Sequence, residues 1–104
     1  MKVDIYEFEF DDGLYLNFKN IKKSDYLAKI IEKSKIAELI EKVVGLISII
    51  RIYKKNEFEF ELINHEDLGI CLRLPVERDR SQDKEDYKLL RNIGKQIVKI
   101  INSK

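Results

Sequence analysis

The tetrapeptide Glu7-Phe8-Glu9-Phe10 recurs as Glu57-Phe58-Glu59-Phe60, and in both places apolar and acidic side chains alternate. Successive side chains of a strand point to opposite faces, so this alternation predicts strands with one buried and one wet face. If Phe8, Phe10, Phe58, Phe60 and Leu62 face the core, then Glu7, Glu9, Glu57, Glu59 and Glu61 share the other face. Val3 and Ile5 break the phase of the first copy, which predicts a bulge near Ile5 or burial of both faces at the start of the strand.

The first copy is followed by Asp12-Gly13, a strong hairpin signal, so residues 14–18 are expected to return as a second strand with Leu14, Leu16 and Phe18 on the core face. Ser24 to Ile47 reads as helical in two stripes. Leu27, Ile30 and Ile31 form one; Ile36, Ile40, Val43, Val44 and Ile47 form the other, with Ser34 placed as an N-cap where the stripes change. A kinked helix, or two helices over roughly 25–33 and 35–46, is the expectation, with Gly45 as the stop. Residues 49–53, 57–62 and 70–74 read as three more strands, the last ended by Pro75. Asp83 to Asn102 reads as a final helix with Tyr87, Leu90, Ile97, Val98 and Ile101 on one face, and Gly94 on that same face predicts a close approach to the sheet. The order β-β-α(kinked or split)-β-β-β-α predicts an α+β two-layer sandwich: about five mainly antiparallel strands with helices packed on one face.

The 104 residues match the size of one domain with one core, so a single α+β domain over 1–104 is expected. Although 38% of residues are charged, 20 Lys+Arg against 19 Asp+Glu leave a net of +1, which argues against strong global attraction to nucleic acid or an anionic membrane. The first residues carry Asp4, Glu7, Glu9, Asp11 and Asp12 where a secretory signal needs basic and then apolar residues. The longest apolar stretch, Val43 to Ile50, is far short of the roughly 18 residues of a spanning helix. A lone cysteine, Cys71, forms no internal disulfide. These features together predict a cytoplasmic protein without membrane contact.

No glycine-rich phosphate loop, nucleophile elbow, paired-histidine motif or Cys-x-x-Cys occurs, so no catalytic residue, cofactor or metal is expected. His65 lies beside Glu66 and Asp67 in a hydrophilic stretch that reads as a hairpin turn. What remains is patterned charge. Acids on the first and fourth predicted strands are offset by Arg51, Lys55 and Arg73 on the third and fifth. Glu57, Glu59 and Glu61, with Asp11, Asp12, Glu66 and Asp67, are the candidate contacts to another protein with a basic surface. An alternative is a nucleic-acid-binding accessory domain using Lys19, Lys22, Lys23, Arg51, Lys54 and Lys55, with Tyr15 or Tyr53 for stacking. A second alternative is a self-associating subunit, with strand edges or the last helix forming a homodimer. In size and character the chain resembles the small immunity or inhibitor proteins that neutralise toxins or nucleases by stoichiometric docking.

Overall fold

The computed structural model describes residues 2–11 and 13–103. Its elements run β1 (Ile5–Phe10), β2 (Gly13–Phe18), α1 (Ser24–Lys33), β3 (Glu38–Val44), β4 (Ser48–Lys55), β5 (Phe58–His65), β6 (Gly69–Arg73) and α2 (Asp83–Asn102). All strands pair antiparallel in one sheet of order β1-β2-β6-β5-β4-β3. Both helices pack on one face of it. Leu27, Ile30 and Ile31 of α1 and Leu90, Ile93, Ile97 and Ile101 of α2 join Leu16, Phe60, Leu62 and Leu72 from the strands in a shared core. The α+β class with an antiparallel sheet and two helices is therefore as expected. The sheet, however, has six strands.

The extra strand is β3, which replaces the second half of the expected split helix. The break falls where the stripes change, but Ser34 caps the end of α1 and Lys35 takes a φ of 55°, turning the chain out of the helix. Beyond it, Ile36, Ile40, Val43, Val44 and Ile47 are all β-branched and favour extended backbone. Their helix-like spacing arises because β3 is an outer strand with a register shift between Leu39 and Glu41, so no buried face enforces alternation.

The two Glu-Phe-Glu-Phe copies lie in opposite phase. In β5, Phe58, Phe60 and Leu62 face the helices, as expected. In β1 the assignment is reversed, with no bulge: pairing with β2 runs unbroken from Ile5–Phe18 to Phe10–Gly13. Val3 is fully buried and Asn102 clamps its backbone, accepting from its N–H at 2.9 Å and donating to its carbonyl at 3.1 Å. Ile5 follows Val3 toward α2, where a Cβ added to Gly94 would lie 2.8 Å from Ile5 Cδ1; the close approach that Gly94 predicts is present. Strict alternation then carries Glu7 to the helix side, where it meets Arg91 Nε at 2.6 Å. Tyr6, Phe8 and Phe10 take the open face, with Phe8 stacked on Tyr15 at 5.4 Å and Phe10 edge-on to it at 5.9 Å. Phe10 pairs directly with Gly13 and Asp11 has a φ of 50°, so the turn sits one residue earlier than the Asp12-Gly13 signal implies; Asp12 lies outside the described residues.

The open face carries a second small cluster, Tyr15, Ile63 and Cys71, covered by Phe8, Ile50 and Leu68. Leu68 is held there by the β5–β6 turn. His65 Nδ1 accepts from the N–H groups of Asp67 (3.0 Å) and Leu68 (3.2 Å), while Leu68 O accepts from Asn17 Nδ2 (3.1 Å) and Cys71 Sγ (3.4 Å). The only histidine thus organises a turn. Burial, partly opposed by the Asn17 hydrogen bond and by Arg73, pushes the Cys71 thiol up from its ordinary pKa. Because the thiolate is the reactive form, an aromatic disulfide reagent should label Cys71 slowly in native protein and quickly in denaturant. Fast labelling without denaturant would contradict this packing.

A candidate protein-docking groove

Pro75 has no backbone N–H to donate, and β6 ends before it, at Arg73 opposite Glu61. Phe58, Glu59 and Phe60 therefore pair only with β4, and the end of β5 borders a notch. The connector after β6 and the first turns of α2 form its other wall. The resulting groove holds about 640 Å³. Its apolar floor comes from Ile52, Phe58, Leu74, Pro75 and Leu89, and six carboxylates line it: Glu57, Glu59, Glu61, Glu77, Asp79 and Asp86. Arg78 is the one lining cation.

Two of these charges are consumed internally. Glu61 is buried and takes Arg73 Nε at 2.7 Å; Arg73 Nη1 also donates to the Tyr15 hydroxyl at 2.9 Å. Burial works against the Arg73 charge, but Glu61 and Tyr15 more than offset it and hold its pKa above the ordinary value. Arg78 straddles Asp83 at 3.0 and 3.2 Å and also bonds the Pro75 carbonyl and the Tyr87 hydroxyl, tying connector to helix. Five carboxylates remain. Glu57, Glu59, Glu77, Asp79 and Asp86 enter no ion pair among the described residues. Asp79 accepts the Ser81 N–H at 2.9 Å, and this bond holds its carboxyl below the usual range. The groove is accordingly anionic around an apolar floor, a combination suited to a basic surface with an apolar anchor.

Of the acids expected to act together, Glu57, Glu59 and Glu61 do share this groove, with Glu61 committed to Arg73. Asp11 lies apart, lining a cavity of about 150 Å³ with Arg73, Arg78 and Arg80. Glu66 and Asp67 sit in the β5–β6 turn at the other end of the sheet. Glu77, Asp79 and Asp86 were not anticipated, because a charged connector shows no periodicity. Their signal was the set of acids between Pro75 and the first turn of α2, Glu77, Asp79, Asp83, Glu85 and Asp86, readable only once the connector is folded back on β5.

The basic residues do not form one surface. Lys22 and Lys23 precede α1, and Lys19 lies 5.0 Å from the centre of the Tyr6 ring. Lys54 and Lys55 end β4, and the register sets them roughly 20 Å along the strands from Lys19. Arg51 is buried on the helix side, where it donates to Ser24 Oγ at 2.8 Å and pairs with Asp25. Tyr53 is buried too, donating to Glu32 Oε2 at 2.9 Å; burial, then Glu32, raises its pKa. Neither Arg51 nor Lys55, which pair with Leu62 and Phe58 of the helix-facing set, balances the wet acids of the open face as the expected pattern required. Lys54, opposite Glu59, and Arg73, opposite Glu61, occupy those positions.

Among the described residues no group of His, Cys, Asp and Glu is arranged to hold a metal ion, and no helix is long and apolar enough to cross a membrane. Comparison of the chain with protein-family models, curated proteins and solved structures gives no match.

Proposed function

We propose that the chain is a protein-binding module that docks a basic partner surface with an apolar anchor, stoichiometrically, as an inhibitor or immunity-type protein does. The observation that supports this most is the groove itself: five carboxylates that enter no ion pair among the described residues, set around Ile52, Phe58, Leu74, Pro75 and Leu89. Surface carboxylates left in one place repel one another, and a partner cation relieves that repulsion while the floor supplies apolar contact. A cytoplasmic setting accords with the single reduced thiol. The nucleic-acid alternative draws less support, because Arg51 is buried and the register sets Lys19 and Lys54 at opposite ends of the sheet.

Charge reversal tests this reading. Glu57→Lys, Glu59→Lys and Glu77→Lys together should weaken binding of a peptide of alternating lysine and leucine by about 100-fold or more and flatten its salt dependence. All three side chains are exposed, so the fold should be retained. An unchanged affinity with unchanged salt dependence would remove the groove as the docking site.

A further inference from the structure

We infer that β3 is the seam of a homodimer in which the outer strands of two copies pair antiparallel and join the two sheets into one. This does not rest on the groove, which draws no residue from β3. Nine large apolar side chains remain exposed among the described residues, and five of them, Ile40, Val43, Val44, Leu46 and Ile47, fall on β3 and the turn that follows it. Strand β3 pairs only with β4, so its other edge offers free backbone N–H and C=O groups. An exposed apolar edge of this kind invites another strand, and chains that keep an edge free guard it with charge. Strand β3 carries its charge in its first part, at Glu38, Glu41 and Lys42. From Val43 to Ile50 no charged residue occurs.

The occupant is a second copy because the strand complements itself. A two-fold axis perpendicular to an antiparallel sheet runs between one residue and its own copy, which face each other across the seam. Centring on Glu41 or Lys42 would oppose like charges, which is unfavourable. Centring on Val44, the last residue of the strand, would pair only that residue with its copy. Centring on Val43 puts Val43 against Val43, Val44 against the aliphatic stem of Lys42, and Glu41 against Gly45. That register places Val43 and Val44 in the seam and opposes no like charges, with Leu46 and Ile47 in the turn just beyond the strand.

Sedimentation from about 1 μM to about 1 mM should show the mass rise from 12.4 kDa to twice that value. Val43→Lys and Val43→Glu should each stay at the monomer mass, since each sets like charges face to face, while an equimolar mixture of the two should recover the dimer. Far-UV circular dichroism checks that each variant folds. If the Val43 variants do not fold, Val44→Lys, at a side chain 68% exposed, faces Lys42 of the other copy and should likewise be monomeric. Wild type remaining at 12.4 kDa throughout, a folded variant that dimerises like wild type, or a mixture that stays monomeric would each overturn the inference.

Discussion

Phe60→Ala is expected to cost about 3 to 5 kcal/mol, the range for truncating a buried aromatic. Phe60 is fully buried, stacked on Tyr53 at 5.5 Å and beside Phe58 at 6.0 Å. A domain of this size is held by roughly 5 to 15 kcal/mol, so the loss should shift the urea midpoint strongly. The same truncation in the other copy of the motif, Phe10→Ala, should cost about 1 kcal/mol or less, because Phe10 is 46% exposed on the open face. Two identical tetrapeptides would thus respond several-fold differently. Equal losses would mean that β1 shares the phase of β5 and that the clamp between Asn102 and Val3 does not set it.

Arg73→Ala is the second large effect, about 3 to 5 kcal/mol, the cost of leaving one partner of a buried ion pair without the other. The Glu61 side chain is 11% exposed and among the described residues pairs with no cation besides Arg73, whose guanidinium also engages Tyr15. Replacing both residues, Arg73→Met with Glu61→Leu, should recover most of the stability, since apolar side chains of similar volume commonly substitute for a buried pair. Urea titration of Arg73→Met, of Glu61→Leu and of the two together forms a cycle that isolates the coupling. A double variant no more stable than Arg73→Ala would show that the loss comes from packing against Tyr15 instead of from the orphaned carboxylate.

The parts of the fold that read correctly from sequence are those where one face is buried by a single partner. In β5 and in Leu14, Leu16 and Phe18 of β2 the period of two matches the core, and Asp83–Asn102 shows the helical period along its buried face. Misreadings fall on the two outer strands. For β1, Val3 and Ile5 compete with Tyr6, Phe8 and Phe10 for the core, and bulk alone favours the aromatics. Tertiary contacts decide otherwise: Ile5 fits against Gly94, where a ring would not. For β3, exposure on both sides removes the alternation that marks a strand, and the run of β-branched residues was the signal that outweighs the helical spacing.

The candidate site was legible only in part, for a related reason. Glu57 and Glu59 follow from strand alternation, which is local. Glu61 obeys the same alternation, but its neighbour across the strands is Arg73, and register cannot be read before strand order is known. Glu77, Asp79 and Asp86 reach the groove because Pro75 ends β6 and Arg78 ties the connector to Asp83, both long-range consequences of the fold.

The account's central claim is that a basic, partly apolar partner docks between β5, the connector and α2. Backbone amide shifts of isotope-labelled protein, followed while a peptide of alternating lysine and leucine is added at low salt, test it most directly. The account predicts the largest shifts at residues 57–61, 77–82 and 86–89, shrinking as salt screens the carboxylates. Shifts confined to the lysines before α1 or to β3, or no shifts at all, would contradict it.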